Sequence, residues 1–238
     1  MTTTKSVCVY CGSRSGKNSA YAEQADRLGR AIAEENWRLV YGAGDVGLMG
    51  IVARAAQEAG ADTFGVIPTH LMRWEVGKTD LTRFIITETM HERKKVMVMN
   101  ADAIVVMPGG AGSMDEFFEV LTWRQLGLHD KPIILMNVDN YWGPLVGLID
   151  HIIDNEFADA SLRDFIQICD GADAAADAAA RAENARALVV QAANGGAQST
   201  STPPATPRKP GKNRPAARNE KHICHPDQLP AALFAAWP

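Results

Sequence analysis

AIVVMPGGAGSMDEFFEVLTW, residues 103–123, sets an apolar run against a glycine-rich corner and then an acidic segment with helical spacing. Residues 103–108 have the Val/Ile density of a strand buried on both faces. The helical pattern that follows opens at Ser113. A strand that ends in glycines and feeds straight into a helix is a βα corner of an open α/β sheet. Such sheets bind ligands at the carboxyl ends of their strands.

The alternation continues outward in both directions. Strand-like runs fall at 6–13, 38–44, 62–68, 83–88, 131–138 and 165–170, with helical spacing between them. This predicts an α/β fold: Rossmann-like, doubly wound, with a mainly parallel sheet and helices on both faces. It should occupy residues 1–175. Residues 176–193 read as an Ala-rich helix. Residues 194–238 are rich in Gly, Ser, Thr, Pro and basic side chains, among them Arg208, Lys209, Lys212, Arg214, Arg218 and Lys221. Up to about Glu220 the segment is too poor in apolar residues to offset its ordering entropy, so most of 194–238 is expected to be disordered, as a solvated basic tail, while the final DQLPAALFAAWP is apolar enough to dock.

Hydrophobic residues make up 46% of the 238, enough for a sizeable core, and the net charge is −4. That balance gives no general reason to expect nucleic acid or an anionic membrane as partner. No apolar stretch has the length of a membrane span. The opening MTTTKSVCVYCGS runs directly into a strand and lacks the layout of a signal peptide, which predicts a cytoplasmic protein. Cys8 and Cys11 have C-x-x-C spacing, and Cys224 lies between His222 and His225. Zinc would need these groups to converge. Cys8 sits inside a strand, so free thiols and no metal are expected.

Gly42-Ala43-Gly44-Asp45-Val46-Gly47 matches G-x-G-x-x-G, and Asp62 follows at the spacing of a dinucleotide fingerprint. A ribose-binding acid should end its strand, however, and Asp62 begins one. NAD is therefore not expected. Two uses for these glycines stay open: backbone approach to an anion at a helix start, or close helix–strand packing.

Gly109, Gly110 and Gly112 permit positive φ and close backbone approach. With Ser113 opening the helix, the corner is a seat for a phosphate group. No lysine follows the glycines, so it is not a nucleoside triphosphatase loop. Glu116 has two readings, since Ser113-x-x-Glu116 also spells a capping box. A second cluster, Met90-His91-Glu92-Arg93-Lys94-Lys95, starts a helix at the same edge of the sheet. It is either a solvated basic patch or the source of a guanidinium for an oxyanion.

Together MHERK (90–94) and PGGAGSMDE (108–116) resemble the LOG (Lonely Guy) family of phosphoribohydrolases, whose pattern is M-H-x-R-K followed by P-G-G-x-G-T-x-x-E. CVYCGS, LVYGAGDVGLMG, GVIPTHLM and FFEVLTWRQLGLHDKPIILMNVDNYW also look like the family, in order. The resemblance covers about the first 165 residues. It implies hydrolysis of the N-glycosidic bond of N6-substituted adenosine 5′-monophosphates, or of AMP, to the free base and ribose 5-phosphate. It implies Arg93 and Glu116 as catalytic residues. Gly110, Ala111, Gly112 and Ser113 would hold the 5′-phosphate. Glu75, Lys94, Met114, Asp115 and Thr122 would line the nucleotide site. It also implies a homodimer; no cofactor and no metal are expected, because backbone N–H groups and arginine satisfy a single anionic phosphate. Ser113 replaces the usual threonine, Ala43 stands within a usual run of three glycines, and the loop around Glu75 is less typical. A phosphate or molybdenum-cofactor carrier of the same fold is the rival, although a carrier would not need Arg93 and Glu116 together.

Overall fold

The computed structural model describes residues 4–72 and 80–181. Glu75, Cys224, most of the Ala-rich segment and the whole of 194–238 lie outside the described residues.

The β-branched runs form seven strands: β1 (Ser6–Tyr10), β2 (Arg38–Tyr41), β3 (Thr63–Pro68), β4 (Arg83–Thr87), β5 (Ala103–Val106), β6 (Ile133–Met136) and β7 (Ile166–Cys169). Among the described residues, five α-helices lie between them: α1 (Ser19–Glu34), α2 (Gly47–Glu58), α3 (Met90–Met99), α4 (Ala111–Gln125) and α5 (Gly143–Asp154). The strands form one sheet in the order β4-β3-β2-β1-β5-β6-β7, and every neighbouring pair is parallel. The chain winds outward from β1 to β4, returns to β5 beside β1, and winds outward the other way. The reversal between β1 and β5 opens a crevice at the carboxyl ends of these strands.

Successive side chains in the central strands feed two cores, as the period of two requires. Val7 and Val9 of β1, with Ala103 and Val105 of β5, pack under α1 and α2. Cys8, Tyr10, Ile104 and Val106 pack on the opposite face, under α3, α4 and α5. Residues 172–181 are helical, and Ala172, Ala175, Ala176, Ala178 and Ala179 are buried in the α1 side of the core. The two edge strands, β4 and β7, depart from the two-sided burial of the central five, since each has a sheet neighbour on one side only. Ile85 and Ile86 of β4 and Ile168 of β7 are exposed.

The two cysteines of the C-x-x-C face opposite cores, Cys8 under α3–α5 and Cys11 on the α1–α2 side, so they cannot converge on one ion. Asp62 immediately precedes β3, at the amino edge of the sheet, where its carbonyl accepts from Leu39 N–H at 2.9 Å. Among the described residues, no helix is long and apolar enough to cross a membrane.

Candidate active site

A cleft of about 520 Å³ lies at the β1/β5 crevice, within the size range of small-molecule sites. The loop after β1 (residues 12–16) and the loop after β5 (residues 108–113) form two of its walls. Leu48, Met49, Met90, Arg93, Glu116 and Tyr141 complete much of the rest.

The PGGAG loop starts its helix earlier than the sequence predicts. The N-cap is Gly110, which makes no side-chain cap bond, and α4 begins at Ala111. Ser113 is therefore the third helical residue, and Ser113-x-x-Glu116 is not a capping box. None of Gly109, Gly110 and Gly112 has a positive φ. Their use is spatial. A Cβ on residue 109 would come within 2.0 Å of Ser113 Oγ, so the missing side chain makes room for the buried serine hydroxyl. A Cβ on Gly110 or Gly112 would meet nothing within 4 Å, which leaves this backbone open to a ligand.

The carbonyls of the loop are all engaged. Pro108 O accepts from Gly12 N–H at 3.0 Å, and Gly110 O accepts from Met114 N–H at 3.1 Å. Gly109 O accepts from the Tyr141 hydroxyl at 2.5 Å. The first-turn N–H groups of α4 have no preceding turn to bond to. The loop thus turns donors, not acceptors, toward a ligand, and the positive end of the helix dipole adds to them.

The real capping box of the site is Thr89-x-x-Glu92. Thr89 Oγ1 accepts from Glu92 N–H, and Glu92 Oε2 accepts from Thr89 N–H, both at 3.2 Å. It fixes the start of α3 and so aims the next residue. Arg93 is 4% exposed, which rules out the solvated-patch reading for this side chain. Its Nε donates to Val66 O at 3.1 Å and its Nη2 to Gly42 O at 2.9 Å. The guanidinium is therefore tied to the carboxyl ends of β2 and β3 while facing the cleft. The first glycine of G-A-G makes this possible, because a Cβ on residue 42 would lie 2.0 Å from Arg93 Nη2. Gly47, the last glycine of that motif, has φ +57° and packs against the Ser13–Arg14 backbone. Both glycines serve close packing rather than a dinucleotide.

Glu116 is half-buried on the cleft wall, below the loop. Burial pushes the Cys8 thiol far above its ordinary range, and the Glu116 charge adds to that. Burial likewise raises the Tyr10 phenol, helped by Cys8 and then Glu116. Both groups stay neutral, so neither is a nucleophile in reserve.

Four described candidates, Lys94, Met114, Asp115 and Thr122, stand apart from the cleft walls. Lys94 Nζ lies 3.0 Å from Asp115 Oδ2 and 2.8 Å from Glu119 Oε2, joining α3 to α4. Burial acts to lower its pKa, but the bonds to Glu119 and Asp115 outweigh it and the net shift is upward. Met114 and Thr122 are exposed on α4. Among the described residues, no group of three His, Cys, Asp or Glu side chains is placed to hold a metal ion.

Sequence reasoning missed Ser13, Arg14 and Tyr141, all on the cleft wall. Tyr141 follows a turn in which Asp139 and Asn140 have φ of 49° and 58°, a left-handed pair that short polar side chains tolerate. Asn18 Nδ2 donates to Asp139 Oδ2 at 2.5 Å, Asn137 Oδ1 accepts from Trp142 N–H at 2.7 Å, and the Tyr141 ring meets Tyr21 and Trp142 edge-on. The local signal was the Asp-Asn turn before two aromatics.

The chain matches the model of the family described as "possible lysine decarboxylase" over residues 49–179. It is 43% identical over 159 residues to a cytokinin riboside 5′-monophosphate phosphoribohydrolase of Arabidopsis thaliana, covering 67% of this chain and 70% of that protein. It is 42% identical over 168 residues to one of Rhodococcoides fascians, covering 70% and 85%. Among solved structures, it superposes on the molybdenum cofactor binding protein of Rippkaea orientalis with a TM-score of 0.56 at 20% identity, over 79% of this chain and 99% of that one. The molybdenum cofactor carrier protein of Chlamydomonas reinhardtii gives 0.57 at 19%, over the same shares. At such identities the likeness shows the fold alone.

Proposed function

We propose, from the premise that the chain belongs to the family described as possible lysine decarboxylase, that it is a phosphoribohydrolase of the LOG type. It hydrolyses the N-glycosidic bond of cytokinin riboside 5′-monophosphates, and of AMP, to free base and ribose 5-phosphate. One observation carries the reading. A single cleft joins a loop with every carbonyl engaged, a guanidinium and a half-buried carboxylate.

The loop residues Gly110, Ala111, Gly112 and Ser113 take the 5′-phosphate on backbone N–H groups. That binding holds the sugar while its other end reacts. Bond breaking at C1′ builds oxocarbenium character on the ribose. Glu116 offsets the positive charge and orients the attacking water. Water supplies the new C1′–O bond, and the base leaves with the electron pair of the broken C1′–N bond and takes up a proton. Arg93, anchored by Gly42 O and Val66 O, places positive charge beside phosphate and base. The chemistry needs no metal or cofactor.

Decarboxylation of lysine through a Schiff base would need an amine with a depressed pKa. Lys94 is held the opposite way, as a cation between two carboxylates.

We further place the protein in the cytoplasm as a homodimer, with residues 1–175 as the catalytic unit. Exposed Met99, Met114, Leu126 and Leu128 on and after α3 and α4 support a partner there. In such a dimer Lys94, Met114, Asp115 and Thr122, with Glu75, border the nucleotide. The test is product analysis without added metal, using AMP and N6-isopentenyl-AMP. Release of base and ribose 5-phosphate is expected, and the rate ratio ranks the substrates. Bound nucleotide left intact supports the carrier instead.

A further inference from the structure

We propose that Tyr141 is a positioning residue of the phosphate seat. Its hydroxyl locks the Gly109–Gly110 peptide in the orientation that suits an anion, an inference that rests on the phosphate-binding reading of the loop.

The peptide between Gly109 and Gly110 has a glycine on each side. A peptide flips when the two flanking torsions rotate in opposite senses, and side chains normally resist this. Here no Cβ stands on either side to resist it. The trans peptide is planar, with C=O and N–H pointing in opposite directions. A flip therefore exchanges the places of the Gly109 oxygen and the Gly110 N–H, giving the anion a lone pair where it needs a donor.

Of the three carbonyls in the loop, those of Pro108 and Gly110 are held by backbone donors, Gly12 N–H and Met114 N–H. The Gly109 carbonyl alone is held by a side chain, the Tyr141 hydroxyl at 2.5 Å. That side chain is itself built in. The left-handed pair Asp139–Asn140 turns the chain so that Tyr141 enters the cleft. Asn18 holds Asp139 at 2.5 Å. Trp142 is fixed behind it by Asn137 Oδ1 at 2.7 Å and by Val106 O, which accepts from the indole at 3.3 Å. The ring is then gripped edge-on by Tyr21, with centroids 5.5 Å apart, and by Trp142 at 4.8 Å. This much structure around one hydroxyl fits a part that must not move.

Tyr141→Phe removes the hydroxyl and keeps the ring contacts. The binding of ribose 5-phosphate and of inorganic phosphate to wild type and Y141F is measured by calorimetry, alongside the melting temperature. Affinity for both ligands is expected to fall roughly three- to tenfold, the range of one hydrogen bond. The melting temperature is expected to stay within about 2 °C, because the bond is partly solvated. With either nucleotide as substrate, KM rises and kcat holds, the pattern of lost uniform binding. A merely structural tyrosine would lower the melting temperature and leave phosphate affinity alone. Unchanged affinity in Y141F, beside a wild type that binds both ligands, overturns the role of Tyr141 and spares the phosphate seat. A wild type that binds neither ligand overturns both.

Discussion

Arg93 Nη2 donates to the carbonyl of Gly42 at 2.9 Å, and the place a side chain would take on residue 42 lies 2.0 Å from that same nitrogen. The bond and the absent side chain are one device. Gly42 directly follows β2, where a buried guanidinium must cross its backbone, and only hydrogen leaves the space. The G-x-G-x-x-G pattern thus serves an arginine 51 residues downstream.

Gly42→Ala should push Arg93 off both of its carbonyls, Gly42 O and Val66 O. Arg93 is too enclosed for its far end simply to swing aside into water. Displacing a catalytic group by about 1 Å can cost roughly a hundredfold in rate. We expect kcat/KM to fall by about that factor for AMP and N6-isopentenyl-AMP. The lost bonds to a charged group should also cost about 1–3 kcal/mol of stability. Kinetics taken well below the melting temperature separate the two effects. Wild-type kcat/KM in the folded variant would show that Arg93 does not act from this position.

Gly112→Ala tests the loop in the opposite direction. Gly112 is helical, has no positive φ and would meet nothing within 4 Å through a Cβ. Alanine at such a site stabilises by about 0.4–1 kcal/mol. The new methyl would stand in the space assigned to the phosphate. We expect a melting temperature at or above wild type together with a severalfold or greater loss of affinity for ribose 5-phosphate. A variant that is stabilised and still binds normally would move the phosphate elsewhere in the cleft.

The sheet was legible because its signal is local. Runs such as 103–106 and 133–136 are apolar throughout, and strands buried on both faces look like that. RFIIT in β4 is nearly as apolar but is exposed, because burial at an edge depends on neighbours that a pattern cannot supply. The capping rule was sound but was applied to the wrong helix. Thr89-x-x-Glu92 closes the box, whereas at Ser113-x-x-Glu116 the helix has already begun at Ala111. The glycines before Ser113 let the backbone enter the helix early, so the serine hydroxyl goes under Gly109 instead. Arg93 and Glu116 stood out in the sequence through paired motifs, and the fold brings both to the cleft wall. Tyr141 was missed because its partner is 32 residues away and is a carbonyl, which carries no identity in a sequence.

Lys94 yields a prediction about alkaline pH. Its pKa in the folded protein is raised above the ordinary 10.5: burial opposes the charge, but Glu119 and Asp115 more than compensate. A raised pKa means the folded state holds the proton more tightly than the unfolded chain. The stabilisation is therefore complete below pH 10.5 and is lost as pH rises through the folded-state value. Melting temperatures from about pH 8 to pH 11.5 should fall more steeply for wild type than for Lys94→Met. The variant should also be less stable near neutrality by about 1–3 kcal/mol, since Glu119 loses its cation. Parallel curves for the two proteins would mean that the α3–α4 ion pairs contribute nothing to folding.

Glu116→Gln separates chemistry from architecture at the carboxylate. With Gly110 as the N-cap of α4, Glu116 closes no capping box, so losing its charge removes no cap. Glutamine keeps the length and the packing of a half-buried side chain. What it loses is the negative charge that would face an oxocarbenium-like ribose. Groups that stabilise developing charge are worth about a hundred- to a thousandfold in kcat. We expect E116Q to lose that much activity on both nucleotides, to melt within about 2 °C of wild type, and to bind ribose 5-phosphate unchanged, because the phosphate seat is backbone. Retained kcat would remove Glu116 from the reaction. A large drop in melting temperature together with weakened ribose 5-phosphate binding would make it a structural support of the loop above it.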